Sequence, residues 1–218
     1  MERSEIAIII PAHNEAFSIE KVINSTKKFG TIILINDGST DGTLEIAKKQ
    51  NIIIINNSKK CGYDQSINFG FNYSVKKFKY IITFDADGQH TQNDLKKIIS
   101  NFNKKTSVVC GVRNKVNRIS EKIFLFLSKF FFNIKDPLSG LKGYNLTLLN
   151  RRSKFSKYNT LGTELIFFAK LNRLKINHVQ IEINERKGKA KIGGLIKSNF
   201  LVLKAMIIVF ILYLFNKL

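Results

Sequence analysis

Two carboxylates and an amide follow the apolar stretch "YIITF": Asp85, Asp87 and Gln89. Acidic residues two positions apart at a strand end point to the same side, where they repel each other unless a cation lies between them. The spacing therefore indicates a divalent-cation site. An Asx-type turn, followed by a helix that Thr91 or Asn93 caps, would explain the same letters, so this motif alone leaves both interpretations open.

Alternating strands and helices must position these residues. Apolar runs of strand length recur, most of them followed by a segment of helical character, and they occupy 6–10, 31–36, 51–56, 80–84 and 107–112. Because the runs are continuous rather than alternating, both faces of each strand should be buried. The pattern predicts an α/β fold with a mostly parallel, Rossmann-like sheet flanked by helices.

Four of these strands end in polar residues. In a parallel sheet the carboxyl ends of the strands meet at one edge, where ligands bind, so the four ends should surround one crevice. They are "PAHNE" (11–15), "NDGSTDGT" (36–43), "DADGQH" (85–90) and "GVRN" (111–114), and they supply Glu15, Asp37, Asp85, Asp87, Gln89 and Arg113. Turn chemistry could account for "NDGSTDGT" by itself, but four polar turns at one edge favour a binding site.

The chain is strongly basic, and its charge is unevenly distributed. Its 218 residues carry 36 Lys and Arg against 16 Asp and Glu, a net charge of +20, and most of the excess follows residue 103. Such a surface attracts phosphates, whether in nucleic acid, anionic lipid or a phosphorylated substrate. Because 29 of the basic residues are Lys, in a chain also rich in Asn and Ile, a single Lys carries little information.

The cysteines and the start of the chain bear on the compartment. Cys61 and Cys110 lack metal-type spacing, and we interpret them as free thiols in a reducing environment. The first apolar run has five residues and contains no signal-peptide core, so nothing in it indicates export.

Seven stretches together resemble a known family. They are "IPAHNEA", "INDGSTDGT", "GYDQSINFGF", "ITFDADGQH", "CGVRN", "KDPLSGLKGYN" and "INERKGKAKIGG". In this order they resemble the inverting GT-A glycosyltransferases, the large family that includes dolichyl-phosphate mannose synthase and bacterial polyprenyl-phosphate glycosyltransferases. The resemblance covers nearly the whole chain and implies a GT-A domain, which we place at 1–194. From its apolar composition we expect 195–218 to be a hydrophobic, membrane-associating tail.

The resemblance implies a donor site for a nucleotide sugar. Asp85 and Asp87 would coordinate Mg or Mn, with Gln89 as a further ligand, and the cation would neutralise the departing diphosphate. The remaining donor-side residues would be Glu15 and Asp37 at the nucleoside, Pro11 and Ala12 in the pocket wall, Arg113 near the diphosphate, and Arg186 and Lys191 on a flap that closes over it. In that flap Ala190 stands where the family usually has Ser.

The acceptor side follows Arg113. By resemblance, Arg118 would hold the acceptor phosphate, with Asp136 and Ser139 beside it, so Asp87, Arg113 and Arg118 are the expected catalytic residues. Leu141 and Lys142 replace the usual Phe and Arg, so a bidentate contact from that Arg would be lost. No obvious general base is present, which suits a phosphate acceptor that is already ionised. Glu164 could be a base, a helix cap or a structural acid.

Two apolar segments indicate contact with a membrane. Residues 118–132 predict a helix with a wide apolar face and interspersed lysines, which suits a membrane surface more than a core. Residues 200–215 are apolar except for Lys204 and would extend roughly 24 Å as a helix, short of the roughly 30 Å hydrocarbon core. A short tilted span, a partly inserted anchor and a dimer-forming helix all remain open.

Taken together, the sequence predicts a metal-dependent glycosyltransferase at the cytoplasmic face of the membrane. It would move a hexose from a GDP- or UDP-sugar to a polyprenyl phosphate, with undecaprenyl and dolichyl phosphate as examples, and could form a homodimer. The alternative is the same fold glycosylating a saccharide hydroxyl in surface-polysaccharide or lipopolysaccharide biosynthesis. A nucleic-acid-binding module would fit the charge, but it would leave the acidic strand ends and the apolar tail unexplained.

Overall fold

The computed structural model describes residues 1–149, 155–185 and 195–218, which contain one seven-stranded sheet. The strands are β1 (Ile6–Ala12), β2 (Thr31–Asp37), β3 (Ile53–Asn57), β4 (Tyr80–Thr83), β5 (Thr106–Arg113), β6 (Lys142–Asn145) and β7 (Lys175–Ile181). Their order across the sheet is β3-β2-β1-β4-β6-β5-β7. All pairs are parallel except those that β6 makes with β4 and β5. The carboxyl ends of the other strands therefore meet at one edge.

Helices cover both faces of this sheet. They are α1 (Ile19–Thr26), α2 (Thr43–Lys48), α3 (Tyr63–Ser74), α4 (Gln92–Ser100), α5 (Ile119–Phe132), α6 (Glu164–Leu171) and α7 (Leu195–Leu214), with a 3₁₀ turn at Arg3–Glu5. Along β1, Ala7 and Ile9 face a core that includes residues of α3, α5, α6 and α7. Ile8 and Ile10 face the core formed with α1, α2 and α4. This two-sided burial explains the continuous apolar runs and confirms the predicted α/β fold class.

Two strands, β6 and β7, were not predicted from the sequence. β6 has only four residues, and its sequence "KGYN" gives no apolar run, yet all four residues are buried. Lys142 is buried in it because its Nζ donates to the carbonyls of Pro137 (2.7 Å) and Gly162 (3.0 Å). Gly143 admits the ring of Phe102, which a Cβ would approach to 2.7 Å. Tertiary packing, rather than local propensity, makes this segment a strand.

The C-terminal helix α7 packs along the body of the domain. Its buried positions, Val202, Ala205, Val209 and Leu212, form a stripe at helical spacing that faces the core. The Phe210 ring contacts Phe124 of α5 and Phe167 of α6, with ring centroids 5.7 and 5.8 Å apart. Ile196–Leu214 is long and apolar enough to cross a membrane by length and composition, but a third of that stretch is buried against the protein.

The outer faces of α5 and α7 form an apolar surface, here called the α5/α7 surface. Its exposed residues are Ile119, Ile123, Phe126, Phe130 and Phe131 of α5 and Ile196, Phe200, Ile207, Ile211 and Leu214 of α7. Lys122, Lys129 and Lys204 are exposed on the same two helices. Within the predicted apolar stripe of α5, Phe124 is fully buried, and the helix also buries Ser120, Ser128 and Phe132. Most of the stripe therefore faces outward rather than into the core.

Candidate active site

A cavity of about 540 Å³ opens at the carboxyl edge of the sheet. It is lined by nine of the residues that the sequence singled out: Pro11, Ala12, Glu15, Asp37, Asp85, Asp87, Gln89, Arg113 and Arg118. Asp136 and Ser139 are buried and do not line it. Arg186 and Lys191, the flap residues, lie outside the described part of the chain. The four polar strand ends therefore converge on one cavity, as the sequence predicted.

The end of β4 forms the Asx-type turn that the sequence allowed, but this turn uses only one of the two carboxylates, that of Asp87. The backbone N–H of Gln89 donates to Asp87 Oδ1 at 3.0 Å, and Gly88 adopts a left-handed φ of +77°. Thr91 caps α4 by accepting from the N–H of Asp94, so Thr91 rather than Asn93 is the cap. The turn explains Asp87 Oδ1 and the glycine, but it assigns no role to Asp85.

Asp85 lies at the wall of the cavity among positive groups. Burial raises the pKa of its carboxyl. The hydrogen bond and charge of His90, followed by the charges of Arg113 and Lys142, lower this pKa by a larger amount, so the pKa lies below its usual range. His90 Nε2 is 3.4 Å from Asp85 Oδ2. A Cβ at Gly140 would collide with this carboxylate, so the glycine of "DPLSG" provides its space. Asp85 is therefore an ionised carboxylate that faces the cavity.

These donors fit a divalent cation that shares its coordination with a ligand. Mg and Mn prefer oxygen donors, and the two carboxylates at the end of β4 supply them. Among the described residues no group of three or more His, Cys, Asp or Glu side chains converges, so a cation here would complete its shell with water or ligand oxygens. The Gln89 amide nitrogen donates to the carbonyl of Asn184 at 3.1 Å, so its amide oxygen is the atom that would coordinate a cation. Its assignment as a ligand stays a prediction.

One end of the cavity is organised by Asp37, which the sequence analysis expected at the nucleoside. Its carboxylate accepts from the backbone N–H groups of Cys61 (2.7 Å) and Gly62 (2.9 Å), which fixes the loop that enters α3. Gly62 has a φ of +93°. Both oxygens already have one donor each, so a contact to a base would use their remaining lone pairs. This loop brings Lys60 and Tyr63 to the cavity wall, and neither was singled out by the sequence.

One buried hydroxyl at the cavity wall has no hydrogen-bond partner in the part of the chain that the structure describes. Ser66, one turn into α3, is fully buried and lines the cavity, and its Oγ makes no hydrogen bond within the described residues. Ser74, two turns later on the same helix, is equally buried, but its Oγ donates to the carbonyl of Gly70 at 2.6 Å. A buried hydroxyl without a partner lowers stability and is a common feature of ligand sites.

The basic side of the cavity is a network of arginines and acids. Arg113 donates to the fully buried Asp136 through Nε (2.8 Å) and Nη2 (3.0 Å), and through Nη1 to Glu121 Oε2 (3.0 Å). Glu121 Oε1 accepts from Arg118 Nη1 at 2.7 Å. Asp136 thus supports Arg113 from below the cavity. Glu121 could not be singled out from the sequence, because one partner, Arg113, lies on β5 and the other, Arg118, is the N-cap residue of α5.

Glu164, one possible base, is a structural acid. It is fully buried and accepts hydrogen bonds from Ser156 Oγ, Thr160 Oγ1 and the backbone N–H groups of Lys157 and Tyr158. It does not line the cavity. Its role is to hold the loop that precedes α6.

The sequence also matches a known protein family. The model of "Glycosyl transferase family 2" matches residues 7–160, which contain β1 to β6 apart from Ile6. All nine of the cavity residues that the sequence singled out lie within this match. The chain belongs to glycosyl transferase family 2. The resemblance drawn from its motifs is therefore confirmed.

Two relatives of this family 2 glycosyltransferase have names that specify dolichyl phosphate, a lipid phosphate. It is 29% identical over 214 residues to the UDP-N-acetylglucosamine–dolichyl-phosphate N-acetylglucosaminyltransferase of Methanococcus voltae, covering 81% of this chain and 84% of that protein. It is 25% identical over 233 residues to a dolichyl-phosphate β-glucosyltransferase of Trichomonas vaginalis, covering 88% and 70%.

Solved structures share the fold at low identity. Glucosyl-3-phosphoglycerate synthase from Mycobacterium tuberculosis, crystallised with Mn²⁺, UDP and phosphoglyceric acid, superposes with a TM-score of 0.76 at 15% identity. The match covers 96% of this chain and 78% of that one. It confirms the GT-A fold of the family 2 glycosyltransferase described here.

The glycosyltransferase cavity also has an apolar side. Val116, Leu138, Leu161, Leu201 and Val202 line it, and the last two belong to α7. The helix that forms half of the α5/α7 surface is therefore also part of the cavity wall. The sequence suggested a tail separate from the site, and it carried no signal that would have brought the two together.

Proposed function

We propose that this glycosyltransferase moves a hexose from a nucleotide-diphosphate sugar to a polyprenyl phosphate, with inversion at the anomeric carbon, at the cytoplasmic face of a membrane. The observation that carries the proposal is the layout of one cavity. Carboxylates lie at one side, arginines at another, and apolar residues of α7 connect the cavity with the exposed α5/α7 surface. A lipid phosphate acceptor needs arginines for its phosphate and an apolar path for its lipid chain.

On the donor side, Asp85 and Asp87 would hold a divalent cation, Mg or Mn. The cation would neutralise the charge that develops on the departing diphosphate. Asp37 fixes the loop that carries Lys60 and Tyr63 beside the nucleotide, and Pro11 and Ala12 would form the adjacent wall. One named relative acts from UDP-N-acetylglucosamine, and a solved structure of the same fold holds UDP and Mn²⁺, which supports a UDP-sugar over a GDP-sugar.

On the acceptor side, Arg118 would bind the acceptor phosphate. Arg113 shares Glu121 with it, and its charge acts on Asp85. Glu121 is the carboxylate on the α5 side of the cavity, and each of its oxygens accepts from an arginine. Each oxygen is therefore already engaged by a guanidinium group and is less available to take a proton from an acceptor hydroxyl. This arrangement favours an acceptor that needs no deprotonation, a phosphate, over the hydroxyl of a saccharide.

The α5/α7 surface would bind the membrane. Its apolar side chains would enter the interface, while Lys122, Lys129 and Lys204 would meet anionic headgroups. Because Val202, Ala205, Val209 and Leu212 are packed against the domain, an interfacial position of α7 fits the structure better than a span.

A direct assay tests the proposal. Purified protein is incubated with MnCl₂ or MgCl₂, a panel of UDP- and GDP-sugars and a short-chain polyprenyl phosphate, and released nucleotide is measured. Release should require both the cation and the lipid phosphate, and EDTA should abolish it. Release that depends on a saccharide acceptor, with the lipid phosphate inert, would establish the alternative function.

A further inference from the structure

Four charged side chains alternate in sign from the buried floor of the cavity to its open side. Asp136 is fully buried and accepts from the backbone N–H, Nε and Nη2 of Arg113. Arg113 then donates to Glu121, and Glu121 accepts from Arg118. The order is thus Asp136, Arg113, Glu121, Arg118, and it ends at the residue proposed to meet the acceptor phosphate.

The two arginines are anchored very differently. Arg113 has three hydrogen bonds to a buried carboxylate, and its side chain is 18% exposed. Arg118 donates to Glu121 alone among the described residues, and its side chain is 31% exposed. Because a guanidinium has five N–H donors, Arg118 keeps most of them for a ligand. Its position in the cavity therefore depends on the one carboxylate that holds it.

Glu121 is suited to that task by its own surroundings. Its side chain is 8% exposed, and its Oε2 is fixed by the anchored Arg113 at 3.0 Å. It lies in the first turn of α5, three residues after Arg118, which is the N-cap residue of that helix. A carboxylate in the first turn is stabilised by the helix dipole. An unrestrained arginine would lose considerable rotamer freedom on binding a phosphate, and a preformed position removes that loss.

We propose that Glu121 is a positioning residue, which transmits the rigid anchorage of Arg113 to Arg118 and so holds the Arg118 guanidinium ready for the acceptor phosphate. This inference rests on the proposed function, because it takes the acceptor to be a phosphate. Glu121 does not contact the reacting atoms in this scheme. It acts through Arg118 and sets the affinity for the acceptor without changing the affinity for the donor.

Glu121 could also hinder binding of the acceptor phosphate, and its removal would then change the acceptor KM in the opposite direction. If Glu121 competed with the phosphate for Arg118, its removal would lower the acceptor KM, because a negative charge beside the binding site would be gone. If it merely stabilised the fold, its removal would lower the melting temperature and weaken donor and acceptor binding together. The three roles can therefore be separated by measurement.

The experiment is a double-mutant cycle on full-length protein with Glu121→Ala, Arg118→Ala and the double variant. The acceptor KM and the Kd for a short-chain polyprenyl phosphate, the latter by calorimetry, are measured beside the donor KM and the melting temperature. Glu121→Ala should raise the acceptor KM and Kd by roughly threefold to a hundredfold, the range that coupled neighbours span. The donor KM should change by less than about twofold on the same reasoning. In the Arg118→Ala background the second substitution should have no further effect.

Two further variants serve as controls. Glu121→Gln keeps the shape and one acceptor oxygen but loses the charge, so its acceptor KM should lie between those of wild type and Glu121→Ala. Glu45→Ala removes an exposed ion pair with Lys48 at the same spacing of three residues, and it should change neither KM.

Each other result overturns the proposal. A lower acceptor KM in Glu121→Ala means competition, and equal effects in both backgrounds mean that Glu121 does not act through Arg118. A parallel loss of melting temperature and donor affinity means a structural role. The proposed function fails separately, when wild-type protein releases nucleotide without the lipid phosphate. In that case the calorimetric Kd cycle still tests Glu121, and a wild type that does not bind the lipid phosphate overturns both.

Discussion

The imidazole Nε2 of His90 lies 3.4 Å from Oδ2 of Asp85, directly behind the carboxyl end of β4. The His90 side chain is only 2% exposed, the Phe84 ring meets its ring edge to face, and its Nδ1 has no partner within the described residues. His90 thus contacts one oxygen of Asp85 and helps to orient this carboxylate at the cavity wall. The burial of the His90 side chain favours this orienting role.

Asp87→Asn should abolish sugar transfer and cation-dependent nucleotide binding while the fold stays intact. Removing one carboxylate from a two-carboxylate site weakens cation binding strongly, whereas the asparagine Oδ1 can still accept from the N–H of Gln89. Nucleotide release and calorimetry with UDP in the presence and absence of Mn²⁺ would measure both effects. Glu45→Gln, at an exposed site, is the matched control. Wild-type turnover in Asp87→Asn would refute the cation assignment.

Arg118→Ala should raise the acceptor KM roughly ten- to a hundredfold, the loss of about 1.5–3 kcal/mol that a charge-assisted hydrogen bond represents. Donor binding should persist. Arg113→Ala should instead lower the free energy of unfolding by about 3 kcal/mol or more, because it leaves the fully buried Asp136 without its partner. Urea unfolding of the two variants checks the contrast. If Arg118→Ala loses donor affinity while its acceptor dependence stays normal, the two sides of the cavity are reversed.

Ser66→Ala should raise the free energy of unfolding by about 1 kcal/mol or more, since it removes a buried hydroxyl that lacks a hydrogen bond. Ser74→Ala should not, because that hydroxyl donates to the carbonyl of Gly70. The two positions share a helix, a side chain and complete burial, so each is the other's control. Equal effects in thermal and urea unfolding would mean that the Ser66 hydroxyl has a partner in solution.

His178 should make the protein less stable in mild acid. Its Nε2 accepts from the N–H of Lys135 at 3.2 Å, and burial, with the charge of Lys135, lowers its pKa to about 4. Between about pH 6.5 and 4 the unfolded chain binds a proton that the native protein does not, so stability falls as pH falls. The slope should stay well below about 1.4 kcal/mol per pH unit, because the ring is partly exposed. His178→Gln should flatten it in urea titrations at pH 7, 6 and 5, and equal slopes would contradict this.

The membrane prediction needs outward-facing substitutions rather than a deletion. Removing residues 199–218 would uncover Phe124, Phe132 and Phe167 in the core, so loss of membrane binding would be confounded with loss of the fold. Ile207→Glu with Ile211→Glu, about half exposed, should instead reduce binding to anionic vesicles about tenfold or more, at an unchanged melting temperature. Flotation measures it. Phe17→Glu, exposed but outside both helices, should have no effect.

The strand ends could be predicted from the sequence because one rule connects them. A continuous apolar run identifies a strand that is buried on both faces, and parallel strands bring their polar ends together without any knowledge of the contacts. Asp37, Asp85, Asp87 and Arg113 were found in this way. The family pattern added Arg118, which the strand rule could not reach because it precedes a helix.

The supporting residues could not be predicted, because their roles depend on burial rather than on type. Asp136 and Ser139 were expected at the acceptor, but both lie beneath the cavity, and Asp136 binds Arg113 there. Glu121 looks like an ordinary acid at a helix start until the fold places Arg113 beside it. β6 escaped detection for the same reason, since Lys142 belongs in a strand only where carbonyls receive its ammonium group.

The antiparallel strand β6 has a consequence for the order in which the chain can assemble. The strands β3, β2, β1 and β4 precede it in the chain and can pair among themselves, but β5 has no other connection to β4 than β6. During synthesis the half of the sheet that bears Asp85 can therefore form early, while the half that bears Arg113 must wait until residue 145 has emerged from the ribosome. Until then β4 is an unpaired edge, which is the exposed state most open to mispairing. Nascent-chain lengths on either side of this strand should differ sharply in resistance to proteolysis.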